Sequence, residues 1–148
     1  MSIATRSARS RSKVAEGPAR PDEPRWLSLE AVIGIHAQQV ERFGGTQGVL
    51  HPGAVESAVA KPRNRLHYGS ADLADLAAAC MVGLTSSHGF VDGNKRAGAA
   101  TMLVFLKING RRLHVPQPEL YALAMDVANG RLDEERVAAW IRARLQGG

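Results

Sequence analysis

Residues 72–110 read DLADLAAACMVGLTSSHGFVDGNKRAGAATMLVFLKING. Two apolar stretches flank a polar nonapeptide, residues 88–96, and the reading of the whole chain turns on them. The first stretch opens at Asp72, an N-cap residue type, and runs from 73 to about 86 with Ala77, Ala78, Ala79 and Gly83 along it. The second starts at Asn94, carries Ala97, Gly98, Ala99 and Ala100 early and Met102, Leu103, Phe105 and Leu106 later, and stops at Asn109-Gly110, a helix-ending pair. Small residues let helix backbones approach closely, so the two helices are expected to form a buried hairpin around one loop.

Outward from this hairpin the punctuation is helical throughout. Toward the N-terminus, Ser28 caps a helix through Leu29, Val32, Ile33, His36, Val40 and Phe43 to Gly44-Gly45, which puts His36 at the edge of the core. A second, short helix is framed by Pro52 in its first turn and Pro62 after its end, with residues 63–70 as loop. Toward the C-terminus, residues 112–115 suit a short extended piece, Pro118 begins a helix ending at Asn129-Gly130, and Asp133 caps a last one through Leu145, with Trp140 and Ile141 in the core. No run of alternating strands and no internal repeat appears. The expected fold is all-α: one compact domain over residues 26–148, about six helices around the central hairpin. Residues 1–25, rich in Ser, Arg, Ala and Pro and without hydrophobic period, are expected to be a disordered basic extension.

Composition narrows the function classes. The net charge is +5, but residues 1–25 hold six basic and three acidic residues, whereas 26–148 hold thirteen and eleven. The folded part is close to balanced, and no helix-turn-helix pattern, Cys/His finger or aromatic-basic interleaving accompanies it, so nucleic-acid binding is not expected. A single cysteine, Cys80, excludes a disulfide framework and a thiolate cluster and suits a reducing, cytoplasmic setting. No stretch approaches the roughly 20 apolar residues of a membrane helix. His51, His67 and His114 are spaced too irregularly for a zinc set and read as loop or surface residues.

The chemistry concentrates in His88-Gly89-Phe90-Val91-Asp92-Gly93-Asn94-Lys95-Arg96. A loop that ends in Gly-Asn and runs straight into a helix presents free backbone N–H groups and the positive end of the helix dipole, which together make an anion site. Gly93 lets a phosphate approach without meeting a Cβ, and Asn94 can cap the helix or donate its amide. Lys95 adds a mobile charge and Arg96 a planar grip on phosphate oxygens, a pair suited to a nucleotide tail. Asp92 is a hard oxygen ligand placed to share a magnesium ion with those phosphates. An imidazole is the side chain that ordinarily accepts a proton near neutrality, so His88 is the candidate base for an attacking hydroxyl. Phe90 is expected to point into the core and pin the loop. Taken singly, each residue has a plain structural explanation; the ordered string after an apolar helix does not.

That string resembles the signature of the Fic/Doc family, and Lys95 is similar to the death-on-curing branch, which carries Asn-Lys-Arg where AMP-transferring Fic enzymes carry Asn-Gly-Arg. Trp26-Leu27-Ser28-Leu29-Glu30, Phe43-Gly44-Gly45, Glu56-Ser57-Ala58 with Lys61-Pro62, and Tyr68-Gly69 resemble death-on-curing proteins in order and spacing, so the likeness spans about 26 to 145. The resemblance implies a helical Fic fold and a toxin kinase that moves the γ-phosphate of ATP onto a hydroxyl of a translation elongation factor. It implies His88 as base, Asp92 as magnesium ligand, and Gly93, Asn94, Lys95 and Arg96 as phosphate cradle. It also implies a Phd-like antitoxin as partner. The alternatives are AMP transfer, or a catalytically weak homologue that only binds a partner. Ala99 stands where AMP-transferring enzymes place a second arginine, which argues against AMP transfer. Val49-Leu50-His51 replaces a common Arg-Asp pair, and Gly89 replaces a frequent proline. A loose match to an inhibitory glutamate motif, Ser12-Lys13-Val14-Ala15-Glu16-Gly17, lies in a stretch with no helical patterning and carries no weight.

Overall fold

Ser28 accepts the amide of Ala31 on its hydroxyl at 3.1 Å and starts α1 (Leu29–Phe43), as the cap signal predicts. The computed structural model describes residues 23–146. The extension expected over residues 1–25 and the Ser12 to Gly17 pattern therefore fall, up to residue 22, outside the described residues. Order reaches back further than Trp26: Arg25 exchanges two hydrogen bonds with the Asn109 side chain, at 2.8 and 3.0 Å, and Trp26 stacks on Phe105.

After α1 come α2 (Pro52–His67), α3 (Leu73–Ser87), α4 (Asn94–Ile108), β1 (Arg112–Leu113), α5 (Gln117–Ala128), α6 (Glu134–Arg144) and β2 (Leu145–Gln146). The fold is all-α as expected. Extended structure is confined, among the described residues, to the two-residue antiparallel ladder β1–β2, a bridge between Val49 and Phe90, and a bridge position at Trp26. Pairing of Leu145–Gln146 with the short extended piece after α4 carries no signature in the sequence.

The hairpin forms as read. Asp72 and Asp75 make a reciprocal capping box at the start of α3, and α4 packs along it. At the closest approach a Cβ on Gly98 would collide with Thr85 Oγ1 and stand 2.9 Å from the Met81 carbonyl oxygen, so only glycine allows this crossing. Gly83 serves a different neighbour: it faces Ala58 and Lys61 of α2. Helices α2, α4 and α6 all pack on α3, which is why ten of its fifteen residues are buried and why its sequence lacks a polar stripe. Phe90, Phe105, Leu76, Met81, Met102 and Ile141 fill the centre, while Trp140 is half-buried beneath the Arg144 guanidinium.

One boundary is corrected. Pro62 lies inside α2, not after it, and residues 63–67 are helical. An interior proline removes a hydrogen bond and costs about 3 kcal/mol. Tertiary contacts offset that loss: Val55, Ala58 and Pro62 are buried, and Arg63 lies over the Trp26 ring at 5.2 Å.

Candidate active site

Helix α3 ends on His88, which sits in the left-handed region at φ 51°, the only non-glycine residue with positive φ among the described residues. Histidine tolerates that region better than most side chains. The Ser87 hydroxyl secures the turn, donating to the Leu84 carbonyl at 2.8 Å and accepting from the Gly89 amide at 3.1 Å. Gly89 sits hard against α2, because a Cβ there would collide with Val55 Cγ2. Its carbonyl accepts from the amides of Leu50 and His51 at 2.7 and 2.9 Å, and Gly48 accepts from Val91 at 3.0 Å, so residues 48–51 run alongside the motif as a short strand-like rail. Phe90 is buried, as expected.

Two residues assigned to the cradle have structural work as well. Asn94 does not cap α4: Gly93 is the N-cap, in the left-handed region at φ 77°. The Asn94 side chain instead reaches back over the loop, accepting from the Phe90 amide and donating to the Phe90 carbonyl, both at 3.1 Å. Arg96 donates through Nη1 to the carbonyls of Gly44 at 2.7 Å and Gln39 at 3.3 Å, closing the C-terminal end of α1. Lys95 is exposed and makes no ion pair among the described residues.

Asp92 stands at the mouth of the loop, with its carboxylate accepting from the amides of Thr46 at 3.2 Å and Gly93 at 2.8 Å. Those two N–H groups, with Arg96 and Lys95 nearby, hold its carboxyl below the usual carboxylate range, so it is ionised at neutral pH. Behind it, the buried imidazole of His36 stacks on Phe90 and bonds the Asp92 main-chain carbonyl. Along the sequence His36 shows itself only as a core-edge residue. Its spacing on an apolar face was the sole local signal, and nothing in that spacing names the loop it supports.

His88, Asp92, Gly93, Asn94, Lys95 and Arg96 all line one cleft of about 760 Å³. Its far wall is apolar, built from Leu103, Leu120, Tyr121 and Ala124 of α4 and α5, residues that the sequence alone did not connect to the motif. The start of α4, on the motif side, has no side-chain cap; α2 and α5 share that feature, whereas Ser28, Asp72 and Asp133 cap α1, α3 and α6. An uncapped first turn, an exposed lysine and an ionised carboxylate suit a phosphate chain carrying a divalent cation. His51, His67 and His114 are exposed and away from this cleft, as read from the sequence.

The Fic/DOC family model matches residues 26–106, which takes in α1 to α3, the whole motif and all but the last two residues of α4. The chain belongs to the Fic/DOC family. It is 33% identical to the Protein kinase doc of Escherichia phage P1 over 124 residues, covering 83% of this chain and 97% of that one. It is 41% identical over 73 residues to the Toxin Doc of Mycolicibacterium smegmatis, covering 48% of this chain and 56% of that one. Membership of a Fic/DOC family with a relative of that name supports a transferase of the kinase type at the level of the family. No helix among the described residues is long and apolar enough to cross a membrane.

Proposed function

We propose that this Fic/DOC chain is the toxin of a toxin–antitoxin pair and a phosphotransferase that moves the γ-phosphate of ATP to a hydroxyl of a translation elongation factor, arresting translation. The observation that carries the reading is the convergence, in one cleft, of His88, Asp92 and the uncapped start of α4. The phage relative that matches almost end to end is named a kinase, and that name supports phosphate transfer over its alternatives.

In this reading His88 accepts the proton of the target hydroxyl while that oxygen attacks the γ-phosphorus. The bond from the γ-phosphorus to its bridging oxygen breaks and ADP leaves. Amides of the first turn of α4 and the Lys95 ammonium hold the phosphate oxygens; Arg96 fixes α1 against the motif and lines the same space. The donor set fits magnesium. Among the described residues no group of three or more His, Cys, Asp or Glu could cage a metal, so the ion would take Asp92 together with phosphate oxygens and water. When bound, magnesium spreads the charge of the phosphates. The apolar wall of α4 and α5 suits the nucleoside.

Lys95 stands where AMP-transferring relatives carry glycine, and Ala99, which lines the cleft, offers no second arginine. Both favour γ-phosphate over AMP transfer. The partner that restrains the enzyme is a Phd-like antitoxin. In a bacterial lysate, ATP labelled at the γ-phosphorus should mark a protein and α-labelled ATP should not; His88→Ala should abolish the label. Labelling from the α-position alone would replace this reading with AMP transfer. No labelling by a wild type that is also harmless when expressed alone would leave only a partner-binding role.

A further inference from the structure

His36 projects from the middle of α1, is 2% exposed, and lies against the motif loop from the core side. Its ring stacks on Phe90 with centroids 3.7 Å apart and planes 8° from parallel. Its Nε2 is 2.6 Å from the main-chain oxygen of Asp92. A carbonyl oxygen can only accept, so Nε2 carries the hydrogen.

The consequence lies in the peptide that joins Asp92 to Gly93. It is trans, so its C=O and N–H point in opposite directions. With the carbonyl held on His36 in the core, the Gly93 N–H is turned outward, where it meets the Asp92 carboxylate at 2.8 Å. Local backbone preference does not enforce this orientation. Turning the peptide plane over chiefly changes ψ of Asp92 and φ of Gly93, now 77°, and glycine accepts either sign of φ. In the turned-over state a carbonyl oxygen would face the phosphate chain, and the Asp92 carboxylate would lose the amide that holds it beside that chain.

We infer that His36 is a positioning residue that locks the Asp92–Gly93 peptide with its N–H toward the cleft, and thereby sets the affinity of the site for phosphate oxygens. This rests on the phosphate-binding reading above. The packing supports a lock rather than a chance contact. A Cβ on Gly93 would stand 3.6 Å from His36 Nε2 and 3.1 Å from Val40 Cγ2, so the loop is seated directly on this face of α1. The stack on Phe90 fixes the plane of the ring, and with it the direction of the N–H.

Two variants and one resonance test it in the full-length protein. His36→Gln keeps a donor at similar reach; His36→Phe keeps an aromatic ring against Phe90 and removes the donor. Titrated with Mg·ATP, His36→Gln should bind within about threefold of wild type, and His36→Phe about tenfold or more weakly, with KM rising more than kcat falls. In ¹⁵N-labelled wild type the Gly93 amide resonance should move with those of Asn94 and Lys95 on adding Mg·ATP. In His36→Phe it should respond less than its neighbours. Equal affinity of folded His36→Phe and wild type overturns the lock. Should His36→Phe not fold, the wild-type resonances decide: a Gly93 amide that stays still while its neighbours move overturns the lock, and one that moves with them supports it. If wild type neither binds Mg·ATP nor shifts at all, the phosphate site itself is refuted and the lock falls with it.

Discussion

Asn94 and Phe90 face each other across three intervening residues through two hydrogen bonds of 3.1 Å, the side-chain oxygen of Asn94 taking the amide of Phe90 and its NH₂ group returning to the same residue's carbonyl. The amide side chain does for the loop what a backbone ladder does for a hairpin. It holds the end of α3 and the start of α4 at one separation, and the distance between His88 and the first turn of α4 depends on it.

Asn94→Ala should therefore loosen the loop, and Asn94→Asp should loosen it less, because the carboxylate can still accept from Phe90 but cannot donate. Two net hydrogen bonds correspond to about 1–3 kcal/mol. Urea unfolding of the two variants against wild type measures the order, with Asn94→Ala the least stable.

Gly98→Ala should separate α3 from α4, since the added carbon would collide with Thr85 Oγ1 and approach the Met81 carbonyl to 2.9 Å. A backbone carbonyl cannot rotate away as a side chain does. The expected loss is about 1–3 kcal/mol, read as a lower midpoint in thermal or urea unfolding. Thr85→Ala removes one of the two obstacles, so the double variant should recover part of that loss.

Gly89→Pro should destabilise this protein. The ring would run into Val55 Cγ2, and the amide that donates to Ser87 would be lost. Combining it with Val55→Ala should relieve the collision but not restore the hydrogen bond. Thermal melts of the single and double variants separate the two contributions.

Asp72 is held down to about 2 by the Arg142 guanidinium, whose Nε and Nη2 reach its carboxylate at 2.9 and 3.1 Å. A carboxyl whose folded pKa lies below its unfolded value stabilises the fold at pH values above the unfolded value. That stabilisation is lost as the pH falls from the ordinary 3.8 toward about 2. Asp72→Asn keeps a capping side chain for α3 but not the charge. Its deficit against wild type should be under about 1 kcal/mol near neutrality, because the pair is exposed, and should shrink to nothing as the pH is lowered through that window. Denaturant unfolding at a series of pH values gives the comparison.

Cys80 lies in the packed interior of α3, and burial pushes its thiol up to about 12. A thiol reagent at about pH 8 should leave the folded protein unmodified and modify one cysteine per chain in guanidinium. Rapid labelling without denaturant would mean that α3 opens locally.

Much of this molecule is legible along the chain because the signals are local. Ser28, Asp72 and Asp133 announce helix starts within three residues of the amides they accept. The small residues of α3 and α4 announce a close crossing, and residues 88–96 carry their chemistry in order. What the sequence by itself determined is therefore the set of helices, the hairpin and the membership of the motif. The tertiary structure alone decided what the motif rests on. His36 meets Asp92 across 56 positions, Arg96 meets Gly44 across 52, Leu145 pairs with Leu113, and α2 runs on past Pro62 because its far end is packed. Helical period says which residues share a face but not which other face will cover it. That choice is made by burial summed over the whole core, a quantity no short window of sequence contains.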